Sequence, residues 1–251
     1  MKNAENWKPS IYAVKGSRLE VIRKNVSPSS WLPCSLIANT FSTLLPKYCS
    51  GCLLDLGCGK VPYYGLYHHY VDKVTCADWA NSYHENPHLD LVQDLNQPLQ
   101  LESNTFDTVL LTDVLEHVSE TDMVITEVSR VLQPGGRFIV SVPFLYWLHE
   151  VPYDNYRFTC YGLTHKLEKF GFEVEELIVH GSWGAVLTDL LSKGIGRVPL
   201  LGNLLVRNLQ RATIWYFCRK NRPPKWHDLK NAFPLGYVCV AKKRTLGNES
   251  S

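Results

Sequence analysis

The stretch LLDLGCGKVPYY, Leu53 to Tyr64, runs apolar residues around a single aspartate straight into Gly57-Cys58-Gly59. A short apolar run closed by turn residues reads as a strand covered on both faces. Two glycines one residue apart permit backbone conformations and close approaches that a Cβ forbids. In open α/β sheets the ligand lies beyond the carboxyl ends of the strands. The loop is therefore read as a binding loop, with room for a ligand against the backbone and amide N–H groups able to meet a carboxylate or phosphate.

Working outward, short apolar runs alternate with helix-like segments, the pattern of βα units and a mostly parallel sheet. Strands are predicted at 52–56, 73–78, 88–92, 106–111, 137–142 and 172–179, and a last one at 236–242. Helices are predicted at 119–132, where Val124, Val128, Val131 and Leu132 form one stripe behind a Ser119/Asp122 capping box, and at 161–170, which stops at Gly171. The QPGGR stretch from Gln133 is read as the turn into the fifth strand. The domains expected are an N-terminal helical extension at 1–50 with its helix at 32–45, a core at 51–180, a helical basic insertion at 181–232, and a last strand and tail at 233–251. If the last strand pairs antiparallel with 172–179, the insertion caps one end of the sheet.

The 251 residues, 45% hydrophobic, suffice for one α/β domain with insertions. The start, MKNAENWKPS, has no apolar run behind a basic segment, and no 18-residue apolar stretch offers a membrane span, so the chain is read as cytoplasmic. Its eight cysteines are then expected as free thiols, and no metal site is read, Cys49-x-x-Cys52 lacking further ligands at zinc spacing. The net charge of +2 is unevenly spread: residues 51–180 carry 7 Lys/Arg against 19 Asp/Glu, residues 1–50 carry 7 against 2, and residues 181–232 carry 9 against 2. Basic flanks either pack on the acidic core or attract an anionic partner. An acidic site face without a recognition motif argues against nucleic acid.

The candidate site residues follow the strands. Asp78 lies about 20 residues past the glycines, the distance at which an acidic residue reaches a ribose diol. Asp94 follows the third strand, placed for an adenine amino group, and Thr112-Asp113 follows the fourth. The ordered set LLDLGCG, CADW, VQDLNQPL, NTFDTVLLTDVLEHV, VITEVSRVLQPGGRFIVSVP and YGLTHKLEKFGFEVEEL, over residues 50–180, resembles the class I S-adenosylmethionine-dependent methyltransferases, in particular the methyltransferase type 11 group. The resemblance implies a Rossmann-like, mostly parallel seven-stranded sheet with an antiparallel last strand, and S-adenosyl-L-methionine as cofactor. It implies Asp55 and the Gly57-Cys58-Gly59 backbone at the methionine amino and carboxylate ends, Asp78 at the ribose, Trp79 beside the adenine, Asp94 and Leu95 at the adenine edge, and Thr112 and Asp113 on the methionine side. His117 is either a cofactor contact or a packed histidine. Lys60-Val61-Pro62 departs from the family's loop and leaves its path open.

The acceptor segment should follow the fifth strand, where PFLYWLHEVPYDNYRFTCYGL is dense in His, Asp, Tyr and Arg. His149 is the first candidate base, its ordinary pKa lying near 6.5. Glu150, Asp154, Tyr156 and Arg157 are candidates for binding a polar acceptor, unless Arg157 pairs with Asp154 to shape the loop. This segment is similar to versions found in methyltransferases of glycan and cell-envelope biosynthesis, which tilts the expected acceptor toward a glycan or small molecule, and O-methylation is the leading expectation. The alternatives are a lipid or quinone C-methyltransferase at the membrane surface and an inactive cofactor-binding partner subunit. The segment 201–226 mixes apolar and basic residues, as either a lid or a helix at the inner membrane face would.

Overall fold

In the computed structural model, residues 1–80, 86–198, 201–219 and 233–245 are described. Their centre is a seven-stranded sheet built from β3 (Cys52–Leu56), β4 (Lys73–Asp78), β5 (Leu91–Val92), β6 (Phe106–Thr112), β7 (Leu132–Pro143), β8 (Phe172–His180) and β9 (Gly236–Lys243), in the order β5-β4-β3-β6-β7-β9-β8. All neighbours are parallel except β9, which runs antiparallel to both β7 and β8. The expected sheet is therefore the observed one.

Both faces of the sheet are covered, which is why its strands read as continuous apolar runs. On one side Leu54, Val109, Leu111, Phe138 and Val140 pack with α3 (Thr121–Val131) and α4 (Cys160–Lys169). On the other, Leu53, Leu110, Ile139 and Val240 pack with Phe41, Leu44 and Leu45 of α1 (Trp31–Tyr48) and with Leu66 and Tyr67 of the short α2 (Tyr64–Tyr67). Each such side chain, fully buried, stabilises the fold by about 1.5–3 kcal/mol before ordering entropy is counted.

Four expectations change in detail. The N-terminal region holds, besides α1, a hairpin of β1 (Tyr12–Lys15) and β2 (Arg18–Val21). Its two-residue Gly16-Ser17 turn between alternating residues was a readable hairpin signal. The third core strand shortens from 88–92 to Leu91–Val92, because the preceding turn is held by Asp90, whose carboxylate accepts from the Cys76 N–H at 2.8 Å. The QPGG stretch lies inside β7 as an irregularity: Phe106 pairs with Leu132, but Thr108 pairs with Arg137. No Ser119 capping box forms; the Ser119 hydroxyl donates to Asn96 Oδ1 at 2.8 Å, and Asp122 pairs with Lys166 and Lys169.

The entry into β3 is tightly specified. Gly51 has φ +59°, and a Cβ there would run into the Asp107 carboxylate, which accepts from the Cys52 N–H at 2.7 Å. Thr108 Oγ1 donates to the Ser50 carbonyl and accepts from its N–H, both at 3.1 Å. Gly51→Ala is expected to lower unfolding free energy by about 1–3 kcal/mol through the left-handed backbone alone, more if Asp107 is displaced. Urea unfolding of the variant checks this, and a loss under about 0.5 kcal/mol would refute the account.

Candidate functional site

A cavity of about 750 Å³ opens at the carboxyl ends of β3, β4 and β6. That lies within the ordinary range for small-molecule sites. On one wall the chain leaves β3 through Gly57 (φ +68°) and Gly59 (φ +50°). A Cβ on Gly57 would meet the Val114 side chain at 2.6 Å, so what lies close against this glycine is Val114 of the neighbouring loop. The loop amides are not free: Gly57 and Cys58 N–H both donate to the Ala77 carbonyl at 2.7 and 3.2 Å, and Gly59 N–H donates to Asp78 Oδ2 at 2.9 Å. The loop thus offers space and shape, whereas the sequence reading expected amide donors.

Gly57, Cys58, Gly59, Asp78, Trp79, Asp94, Leu95, Thr112, Asp113, His117 and His149 all line this one cavity. Trp79 sits edge-on to Tyr153, with ring centroids 5.0 Å apart. Asp94 Oδ1 accepts from the Asn96 N–H at 2.9 Å. Asp113 adopts φ +51°, and its Oδ1 accepts from the Ser141 hydroxyl at 2.9 Å. Burial raises the Asp113 pKa against the opposing effects of Ser141 and His149.

Asp55, Asp154, Tyr156 and Arg157 are not among the residues lining the cavity, and the structure places each elsewhere for a physical reason. The Asp55 carboxylate is buried behind the loop, accepting from the Tyr67 hydroxyl at 2.8 Å. Arg157 donates to both Asp154 oxygens, at 2.6 and 2.7 Å. Arg157, donating to that carboxylate, holds the Asp154 pKa well below the usual range. Tyr156 donates to the Ser119 carbonyl at 3.1 Å. Asp154, Tyr156 and Arg157 thus shape the loop after β7, the alternative the sequence left open for Asp154 and Arg157.

The facing wall gathers Glu116, His117 and His149. Glu116 is fully buried, and among the described residues neither of its carboxylate oxygens has a hydrogen-bond partner. Its Oε1 lies 3.6 Å from His117 Nε2 and 3.8 Å from His149 Nε2. The two imidazoles meet edge to face at 4.7 Å. Burial raises the Glu116 pKa. For His149, burial acts to lower the pKa, but the Glu116 and Asp154 carboxylates outweigh it and the result stands above the ordinary value. Sequence reasoning missed Glu116, although an acid inside the apolar run Val114-Leu115-Glu116-His117-Val118 was a visible signal. It also missed Tyr12, Ile37, His180 and Leu235, which bring the N-terminal region, the end of β8 and the approach to β9 into the cavity wall. Burial drives the His180 pKa down to about 4.

Asp55 generates a pH test. Burial pushes its pKa up to about 7, against the opposing Tyr67 hydrogen bond, while an unfolded aspartate titrates near about 3.9. The folded state therefore holds the proton longer, and this group's contribution to stability falls as pH rises from about 4 to about 7. Asp55→Asn is expected to flatten the stability–pH curve across that window, measured by urea unfolding at several pH values. Parallel curves for the two proteins would contradict the burial argument.

The geometry agrees with the comparisons. Residues 54–140 match the family described as "Methyltransferase domain". A protein of Mycolicibacterium smegmatis (strain ATCC 700084 / mc(2)155), named "Probable S-adenosylmethionine-dependent methyltransferase/", is 30% identical over 119 residues, 44% of this chain and 45% of its own length. The chain so aligned spans less than half of that relative. Among solved structures, the [4+2]-cyclase SpnF has a TM-score of 0.52 at 19% identity, covering 94% of this chain and 87% of its own. A chain of the Haloferax volcanii complex between the Trm112 methyltransferase activator and a methyltransferase has 0.53 at 16%, covering 82% and 90%. Haemonchus contortus phosphoethanolamine N-methyltransferase 2, solved with S-adenosyl-L-methionine, has 0.50 at 14%, covering 84% and 52%. At these identities the structural likeness speaks to the fold, on which SpnF carries another chemistry. Residues 54–140 thus match a methyltransferase domain, and the sheet order and glycine loop are similar to those of the class I S-adenosylmethionine-dependent methyltransferases.

Proposed function

We propose that the chain transfers a methyl group from S-adenosylmethionine to an oxygen of a small-molecule or glycan acceptor, in the manner of envelope or polysaccharide biosynthesis. The observation that carries this reading is one cavity whose first wall is the glycine loop with three acidic strand tips and whose second is the Glu116, His117 and His149 group.

The residues fit the cofactor. The cavity bordered by Gly57, Gly59, Thr112 and Asp113 admits its thin methionine chain. Asp78, at the tip of β4, takes the ribose hydroxyls, with Trp79 and the buried Leu95 against the adenine and Asp94 at its amino edge. Thr112 and Asp113 face the methionine end, a role Asp55 leaves to them because its carboxylate is tied to Tyr67. The cofactor, when bound, supplies an electrophilic methyl on a good leaving group. The protein's part is then alignment and exclusion of water, worth up to about 7–11 kcal/mol for well-oriented reactants. His149 faces the acceptor side and activates the hydroxyl. Asp154 holds His149 in place, accepting from its backbone N–H at 3.0 Å with the side chain's Nδ1 at 3.4 Å.

A second reading is favoured by the surface of α5 (Trp183–Ile195) and α6 (Gly202–Arg219). Leu190, Leu201 and Leu204 are 61%, 63% and 57% exposed, beside exposed Arg207 and Arg211. This is the composition of a surface that rests on an anionic bilayer. No helix of the described residues is long and apolar enough to cross one. The sequence reading placed this contact in 201–226, of which 220–226 lie outside the described residues. An acceptor carried on a lipid, or a lipid or quinone itself, would then enter from that side, since Leu235 and Tyr146 belong both to the cavity wall and to the underside of these helices.

Two experiments test these readings. Calorimetry with S-adenosylmethionine should show binding that weakens more than tenfold in Asp78→Ala. Turnover with candidate acceptors, followed by S-adenosylhomocysteine release, should be lost in His149→Ala and reduced in Asp154→Ala, both keeping cofactor affinity. Fully active variants would refute the acceptor-side assignment, and cofactor binding without turnover on any acceptor class would favour the inactive-partner alternative. For the surface, co-sedimentation with vesicles containing anionic lipid should fall several-fold in Leu201→Glu/Leu204→Glu; parent protein that never sediments would remove the membrane reading.

A further inference from the structure

The geometry points to a divalent transition-metal site, formed by Glu116, His117 and His149 in the acceptor wall of the cavity. The inference rests on the methyl-transfer reading and deepens it: the cation would be what activates the acceptor oxygen.

Three observations carry it. First, Glu116 is fully buried, and among the described residues neither carboxylate oxygen makes a hydrogen bond, its nearest polar neighbours being the His117 and His149 rings. A buried polar group without a partner is costly, and its presence calls for a counter-charge or donor. Second, one ligand atom from each of the three side chains lies within 4.8 Å of the others. Two ligands each about 2.1 Å from a tetrahedral ion stand roughly 3.4 Å apart. The observed 3.6 Å from Glu116 Oε1 to His117 Nε2 and 3.8 Å to His149 Nε2 are close to that spacing, and the two rings, whose ligand atoms lie within 4.8 Å, would turn toward the ion on binding.

Third, the far nitrogen of each ring is held by an oxygen. His117 Nδ1 faces the Tyr153 carbonyl at 3.2 Å. His149 Nδ1 faces the Trp147 carbonyl at 3.3 Å and the Asp154 carboxylate at 3.4 Å. These oxygens can only accept, so in each neutral ring Nδ1 carries the proton and Nε2 presents a lone pair. Two lone pairs and a carboxylate then converge on one point, which is repulsive until a cation or proton sits among them. Metal-binding histidines are oriented by such outer carbonyl and carboxylate partners. Arg157, gripping Asp154 through both oxygens, extends that support one shell further.

Two imidazoles and one carboxylate select Zn²⁺, Mn²⁺, Fe²⁺ or Co²⁺ over Mg²⁺ and Ca²⁺, which prefer oxygen ligands. Three protein ligands leave coordination positions open, as in catalytic sites. An acceptor hydroxyl bound there would lose its proton to solvent at the cavity mouth. Its oxygen lone pair would form the new O–C bond, and the C–S pair would return to sulfur, giving the methyl ether and S-adenosylhomocysteine. His149 is then a ligand, and activation passes through the ion.

The test uses full-length protein stripped with chelator. Titration with Co²⁺, read by visible d–d absorption and calorimetry, should show one equivalent bound. Binding should weaken roughly tenfold or more in Glu116→Gln and in His149→Ala, and persist in His68→Ala/His69→Ala, which removes an adjacent histidine pair outside the site. Circular dichroism and S-adenosylmethionine affinity of each variant report folding and the cofactor site independently. No Co²⁺ binding below millimolar, or binding unchanged in Glu116→Gln, overturns the inference while leaving the methyltransferase reading standing if cofactor still binds. Loss of cofactor binding by the parent protein would instead overturn that underlying reading.

Discussion

The organisation of this protein depends on where β9 pairs. It enters the sheet between β7 and β8, antiparallel to both, with Gly236 opposite Pro143 on one side and His180 on the other. β8 thus ends, and β9 begins, at the same edge to which β3, β4 and β6 deliver their loops. The connection from 181 to 235 must leave and return at that edge, and α5 and α6 lie there by topology. Packing on α1 is what holds them: Gln210, fully buried, accepts from the Leu32 N–H at 2.6 Å and donates to Ser192 at 2.9 Å.

A second layer of constraint positions the wall that carries Glu116, His117 and His149. The loop after β7 is long, and an isolated loop of this length would sample many shapes. Here it is stitched to the segment after β6. Asn155 and Tyr156 N–H both donate to the Glu116 carbonyl at 2.9 and 3.0 Å, and the Asn155 amide reaches the His117 carbonyl at 2.8 Å. The same backbone that buries the Glu116 side chain therefore fixes the loop bearing His149. Arg157 and Asp154, which in sequence read as acceptor-binding charges, give that loop its rigidity through a half-buried bidentate pair, the strong kind of ion pair.

The glycine loop, the acidic strand tips and the sheet order were legible because they rest on local rules. Strand periodicity, the loop's absent Cβ atoms and the placement of ligands beyond strand ends all act over a few residues. The resemblance of residues 50–180 to the class I methyltransferases added the cofactor. What went unread depended on distance. Asp55 sits in the motif yet faces Tyr67 behind the loop, and the QPGG stretch continues a strand because Phe106 and Arg137 find partners on either side of it.

By itself, then, the sequence determined the alternation of strands and helices and the cavity wall that carries the glycine loop and the acidic strand tips. Hydrophobic period and glycine placement are local properties that survive in any correct fold. Only the tertiary structure decided the opposite wall. It joined Glu116 and His117 to His149, more than thirty residues along the chain, around one buried carboxylate that makes no hydrogen bond among the described residues. It also decided which charges pair with each other and which face the cavity. Charges separated in sequence acquire partners only when burial removes water and leaves each group to its nearest neighbour.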